Sequence, residues 1–547
     1  MKSKLNVFVN IIIACGCLYV ASGRIVEIEN GLIEGKKMVT RSGLSFYGFL
    51  GIPFAEPPLD DLRFREPVPK KRWDGILNCT AFGPMCMQPG EELSRSEDCL
   101  YLNVFTKNLS SNELKPVIAF IHGGGFSTGT AMIQGPEYLL DRDIVFVTFQ
   151  YRLGSLGFMA LETPEVSGNQ GFKDQSLALK WIQKNIHHFA GDRNRVTLSG
   201  FSAGSLSVTA HMISPMSQGL FHNVIGVSGS IASQIQPVSN NIPFTKEVAV
   251  RVNCTVESIE NMLDCLKNTH GEDIVKAENK VFTNFPCVMY TWWTPWVVEP
   301  ELGQERFIID DPNLLFREGQ FSKVNAIMGL TANEFIEPAT LLYDANATAY
   351  LNENWEEIAP TCFYFEGTEF TSSKEMAKIL KKSYFPYHTI DIRSFNNLNN
   401  LFADSIIGFG VHKFVHLVNK FIDVYYYKFS YIGQSSFFYH PRNFPFGANH
   451  GDDTLYVLNY GWQEIDLEHP DGVIVERMSR IWEQFAWSGN PNNQTKEYLQ
   501  DMIWPKHDDS TEWYLDIGKH LVEKNGLFLE RFTVWDSFEK NVSLIFT

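Results

Sequence analysis

Apolar and polar residues alternate from Arg24 to Glu29 and again after Asn30-Gly31, a pattern that predicts a β-hairpin near the N-terminus. Further along, the runs Val117 to Ile121, Ile144 to Phe149, Val196 to Ser199, Val224 to Ser228, Ala326 to Gly329 and Val424 to Tyr431 are almost continuously apolar. Such runs predict strands buried on both faces. Between several of them the apolar period changes to that of a helix, as at Leu177, Ala178, Trp181, Ile182 and Ile186. Strands alternating with helices predict an α/β fold with a mostly parallel central sheet flanked by helices. The Asn-rich stretch from Asn396 to Asn400 reads as a loop. No repeat, charge block or linker divides the chain, so residues 24–547 are expected to form one domain.

The first residues change the picture of the compartment. Lys2 and Lys4 precede an apolar run from Val7 to Val20 and then Ala21-Ser22-Gly23, the layout of a signal peptide over residues 1–23. The run is short for a membrane span, no comparable segment is expected downstream, and the chain ends without a retrieval signal or a hydrophobic anchor tail. Secretion is the expectation. It agrees with sequons at Asn78, Asn108, Asn253, Asn346, Asn493 and Asn541. The formal charge of −17 argues against nucleic acid or anionic membranes as partners. Removing Cys15 and Cys17 with the leader leaves Cys79, Cys86, Cys99, Cys254, Cys265, Cys287 and Cys362, an odd number. Short intervals favour Cys86–Cys99 and Cys254–Cys265 as bridges, although connectivity stays open at this level.

The chemistry centres on Gly200-Phe201-Ser202-Ala203-Gly204, preceded by a strand pattern and followed by small and apolar residues from Ala203 to Ile213 that suit a packed helix. A serine between two glycines on a strand-to-helix turn is a nucleophile elbow. The plain alternative is a chance pentapeptide. His122-Gly123-Gly124-Gly125-Phe126 follows a predicted strand and suits an oxyanion loop, with the N–H groups of Gly124, Gly125 and Ala203 as donors. A phosphate-binding loop is the weaker reading, because the Lys-Ser/Thr of a nucleotide site is missing. The base is expected downstream. His450 lies in the turn-rich Gly447-Ala448-Asn449-His450-Gly451-Asp452-Asp453, with His440 and His469 as competitors. Glu334, just past the strand ending near Gly329, is the candidate acid, against the plain reading of an ordinary loop carboxylate.

Together these residues resemble the type-B carboxylesterase family, the cholinesterase-like branch of the α/β-hydrolases. Phe189-Ala190-Gly191-Asp192 ahead of Val196 to Gly204 looks like the family's serine signature, with Ala190 where a glycine is usual. Glu97-Asp98-Cys99-Leu100-Tyr101-Leu102-Asn103-Val104 looks like its second signature. The resemblance covers essentially the whole chain after residue 23. It implies an α/β-hydrolase fold with large loop insertions and a triad of Ser202, Glu334 and His450. It also implies Ser228 as a residue holding the acid, the two disulfides named above, and no metal or organic cofactor. Aromatic residues at Tyr290, Trp292, Trp293 and Trp296 fall where the family lines its gorge, so Trp293 and Trp296, with Phe201, are candidate substrate contacts.

Two departures bear on substrate. Cholinesterases carry a glutamate at the position of Phe201 and a tryptophan in the loop matching Met87 to Asp98, which has none here. A quaternary ammonium would find neither, and choline esters are disfavoured. Arg63-Phe64, Asp174-Gln175, Glu334 and the Gly447, His450, Asp453 spacing look like juvenile hormone esterases, but Phe201 replaces their usual glutamine. A generalist secreted carboxylesterase acting on a small-molecule ester is the first expectation and a juvenile hormone esterase the alternative. A non-catalytic adhesion protein of the same fold is a third reading, opposed by every catalytic position being filled.

Overall fold

The computed structural model describes residues 23–543, apart from 91–93, 111, 233–239, 282–295, 345–346, 366–371, 388, 438–446, 462–464 and 493–496. The strands are β1 (Arg24–Ile28), β2 (Gly31–Val39), β3 (Ser45–Pro53), β4 (Ile76–Asn78), β5 (Met85–Cys86), β6 (Arg95–Ser96), β7 (Tyr101–Thr106) and β8 (Lys115–Ile121). They continue as β9 (Val145–Phe149), β10 (Gly191–Phe201), β11 (Asn223–Val227), β12 (Asn325–Thr331), β13 (Val424–Phe429), β14 (Trp513–Ile517) and β15 (Leu521–Asn525). Among the described residues, thirteen strands form one sheet, in the order β1-β2-β3-β7-β9-β8-β10-β11-β12-β13-β14-β15 with β4 beside β2.

The sheet is parallel at its centre and antiparallel at its edges. Six parallel pairings run from β9 through β8, β10, β11, β12 and β13 to β14. The predicted hairpin is β1 and β2, paired antiparallel from Arg24–Gly35 to Ile28–Gly31. All six predicted apolar runs are strands of this sheet. They read as continuous because successive side chains enter different cores: Val117, Ala119 and Ile121 join one, Ile118 and Phe120 the other. The helix Ala203–Ile213 closes the first face. The helix Gly472–Ser488 closes the second with Ile474, Val475, Met478, Ile481, Trp482 and Phe485. Each such side chain contributes roughly 1.5–3 kcal/mol on burial.

Two expectations change. The stretch Asn396 to Asn400 is helical, inside Phe395–Ala403. Leu398, Leu401 and Phe402 are buried at helical spacing there, and their burial outweighs the weak propensity of asparagine. That helix belongs to a helical run, Ile392–Val418, of 27 residues with mean hydropathy 1.3. It is long and apolar enough to cross a membrane, but 83% of its apolar window is buried within the protein, as in a core helix.

Cys86–Cys99 and Cys254–Cys265 are bonded, each with its sulfurs in bridging geometry and Cα atoms 4.9 and 5.7 Å apart. Cys362 is also disulfide-bonded, and Cys287 lies outside the described residues. Cys79 is free and fully buried, and burial pushes its thiol up to about 12.

Candidate active site

The site forms where the parallel strands end. Pairing of Gly200 with Ile121 and of Phe201 with Val227 puts the C-terminal ends of β8, β10 and β11 side by side. Ser202 leaves β10 with φ 57° and ψ −123°, and the helix Ala203–Ile213 starts at the next residue. A bulky side chain is rarely tolerated in such a conformation, and the close packing fixes it. The Ser202 N–H donates to Val227 O at 2.8 Å. A Cβ on Gly204 would lie 2.0 Å from Ile121 O, and one on Gly200 would lie 2.3 Å from Gly204 O. Both glycines are therefore needed for the strand to turn into a helix packed against β8. Ala203 opens the helix, so its N–H has no carbonyl partner within it and faces the positive end of the helix dipole.

The glycine loop leaves the neighbouring strand β8. Gly124 has φ 113°, and its carbonyl accepts the N–H groups of Ser127 and Thr128 at 3.1 and 2.9 Å. The loop is held from outside by Gln88, whose side chain accepts from Gly129 N at 2.9 Å and donates to Gly129 O at 2.8 Å. This clamp joins the glycine loop to the Cys86–Cys99 segment. Nothing in the sequence marks it beyond the position of Gln88 two residues after Cys86. His122 is fully buried, stacked on Tyr151 with centroids 4.4 Å apart, and burial pulls it down to about 4. It is thus neutral at physiological pH.

Glu334 follows β12 and His450 follows β13. The two loops are joined by Asn333 N donating to Ala448 O at 2.9 Å and by a bridge between Asn333 and Asn449. Glu334 is 2% exposed. One carboxylate oxygen accepts from Ser228 Oγ at 2.6 Å and Thr331 N at 2.7 Å, and the other meets His450 Nδ1 at 2.5 Å. Burial alone would raise this carboxyl. The His450 charge and hydrogen bonds from His450, Ser228 and Thr331 outweigh it and hold the group below its ordinary value. His450 Nε2 is buried with no hydrogen-bond partner among the described residues. Of the competitors, His469 sits away from Glu334 and accepts from Asp471 N at 3.1 Å, and His440 lies outside the described residues.

Aromatic rings enclose the imidazole. Phe201 lies 4.7 Å from His450 and Phe335 lies 4.1 Å from it, centroid to centroid. Phe335 was not legible as a site residue, because only the fold brings its ring over His450. Phe201 also stacks on Phe437. Trp296 is 2% exposed and packs edge-on to Phe126, while Trp293 lies outside the described residues. Behind the histidine loop, Asp453 accepts from Tyr427 OH at 2.7 Å, and burial with the nearby charges of Glu334 and Asp452 pushes it up to about 7.

A model of the Carboxylesterase family matches residues 22–535. The chain belongs to the carboxylesterase family. Esterase E4 of Myzus persicae is 35% identical over 91% of this chain and 92% of its own length. Juvenile hormone esterase of Tribolium castaneum is 32% identical over 87% and 85%. The crystal structure of juvenile hormone esterase from Manduca sexta, with OTFP covalently attached, superposes with a TM-score of 0.83 at 27% identity, covering 95% of this chain and all of that one. This carboxylesterase has an α/β-hydrolase fold and is a carboxylic ester hydrolase.

Proposed function

We propose that this carboxylesterase is secreted and cleaves esters through an acyl-enzyme, with Ser202 as nucleophile, His450 as base and Glu334 as the group that orients the base. The observation that carries the reading is the contact of His450 Nδ1 with Glu334 Oε2 at 2.5 Å, which leaves Nε2 as the nitrogen free to take a proton. Nε2 takes the Ser202 hydroxyl proton as Oγ attacks the ester carbonyl. The N–H groups of Gly124, Gly125 and Ala203 receive the oxyanion, and each such donor is worth on the order of a hundredfold or more in rate. The alcohol departs with the proton from His450. Water then repeats the sequence on the acyl-enzyme and releases the acid. None of these steps calls on a metal or an organic cofactor.

Phe201 places a hydrocarbon ring where an acid would attract a cation, so uncharged esters are the preferred class and choline esters are not. A generalist carboxylesterase is the first reading. The likeness to juvenile hormone esterases supports the second, against the loss of their glutamine at Phe201. Export is supported by the leader-like residues 1–23 and by sequons at Asn78, Asn108 and Asn253, all three exposed. Asn346 and Asn493 lie outside the described residues, and Asn541 lies in the helix Leu529–Ser543.

An organophosphate should label the protein once per chain, and Ser202→Ala should abolish the label. A wild-type protein that takes up none would remove the catalytic reading and favour the non-catalytic one. Relative kcat/KM on aryl, aliphatic and terpenoid esters then separates the two substrate readings. A many-fold terpenoid preference would favour the hormone esterase.

A further inference from the structure

We propose that the chain carries a zinc-type divalent metal site, separate from the catalytic residues, formed by His416, His507 and Asp509. One ring nitrogen of each histidine and one carboxylate oxygen of Asp509 lie within 4.8 Å of one another. The residues come from two elements. His416 is in the helix Phe409–Val418, and the other two are in the loop that leads into β14.

His507 carries the argument furthest. It is 5% exposed, and its Nδ1 lies 3.0 Å from Trp513 O. A carbonyl only accepts, so Nδ1 bears the hydrogen and Nε2 of the neutral ring bears the lone pair. Nε2 is buried with no hydrogen-bond partner among the described residues. A buried acceptor left in that state is destabilising. Metal-binding histidines show this arrangement, with one nitrogen committed to a backbone carbonyl and the other held ready for the ion.

The other two groups lie side by side. His416 Nδ1 lies 2.9 Å from Asp509 Oδ1, and Asn419 Nδ2 donates to the same oxygen at 2.5 Å. The loop is anchored by His507 N donating to Val424 O at 2.8 Å. Two imidazoles and one carboxylate suit Zn²⁺ with water as a fourth ligand, and suit poorly the all-oxygen shells of Ca²⁺ and Mg²⁺. Tetrahedral zinc at about 2.1 Å needs ligand atoms about 3.4 Å apart. The set must therefore contract at its widest edge, and exposed Asp509 on its turn is the group able to move.

The site sits at the N-terminal ends of β13 and β14, whereas Glu334 and His450 follow the C-terminal ends of β12 and β13. The length of β13, on the order of 15 Å, separates the two. Bound metal would staple the long helical run Ile392–Val418 to the sheet edge and stabilise the fold without touching the reaction.

The test uses the untagged full chain, stripped with a chelator and titrated with Zn²⁺ by calorimetry, with thermal unfolding alongside. One equivalent should bind and raise Tm by a few degrees. Asp509→Asn and His416→Gln should each weaken binding at least tenfold with kcat/KM on a simple ester unchanged. Asp509 is exposed, so its variant should fold normally. His188→Gln, in a histidine pair with His187 away from this site (centroids 3.9 Å), should change nothing. No Zn²⁺ uptake by the wild type, or uptake that survives both ligand variants, overturns the proposal; a water molecule would then fill the place beside His507.

Discussion

The imidazole of His450 lies stacked on the ring of Phe335, with centroids 4.1 Å apart and planes 27° apart. Phe201 covers it from another direction at 4.7 Å and 41°. Glu334 fixes one nitrogen, and the two rings restrict how the imidazole tilts about that contact. Phe335 achieves this with φ 50°, an uncommon backbone angle for a bulky residue. Phe335→Leu keeps an apolar side chain but loses the flat face. It should lower kcat about tenfold, roughly 1.4 kcal/mol, with KM nearly unchanged. Steady-state kinetics on a soluble aryl ester would read this, and an unchanged kcat would show that the ring does not position the base.

The base role proposed for His450 predicts an acid limb. Protonation removes the lone pair that accepts the Ser202 proton, so kcat/KM should fall on the acid side. Glu334 does not add to that limb, because its partners hold it below its ordinary carboxyl value and it stays ionised throughout. Glu334→Gln should cut kcat by roughly 10³–10⁴, the size expected when the orienting acid of a triad is neutralised. A profile flat from pH 5.5 to 8 would count against His450.

Asp453 makes the opposite contribution to stability with pH. Its folded value, raised from 3.8 to about 7, means that the folded protein binds a proton there which the unfolded chain has already lost. Stability from this group therefore falls as pH rises from about 4 through about 7. Asp453→Asn keeps an acceptor for Tyr427 OH and removes the titration. The variant's Tm should decline less than the wild type's between pH 5 and pH 8. Parallel Tm curves for the two proteins would contradict the assignment.

Cys79 should be invisible to thiol reagents in the folded protein. It is fully buried, and its thiol is pushed up to about 12, so almost no thiolate exists near neutrality. Alkylation should leave Cys79 unmodified under native conditions and modify it in guanidinium. Mass spectrometry locates the label. Native labelling at Cys79, or none there after unfolding, would contradict this.

Much of the fold was legible because its strands are buried on both faces. Runs such as Val117 to Ile121 cannot sit at a surface, and glycines at 200 and 204 mark a backbone approach that no side chain permits. The helix at Asn396 to Asn400 was not legible, because its spacing of Leu398, Leu401 and Phe402 is diluted by polar residues and only packing against neighbours favours it. Glu334 could be proposed from its place after a strand. Residue pattern alone left His450 level with His469; the family resemblance favoured His450, and the loop geometry puts His450, not His469, against Glu334.

By itself, the sequence determined the buried central strands, the glycine-flanked turn at Ser202 and the glycine loop, and it favoured the two short disulfides. These are local features, each fixed by a periodicity, a steric requirement or a short loop. Tertiary structure decided which distant groups meet: Glu334 with His450, Ser228 with Glu334, Phe335 over the imidazole, Gln88 on the glycine loop, and His416 beside His507. Those contacts join residues on different strands and loops, so their distances follow from the strand order in the sheet and cannot be read from spacing along the chain.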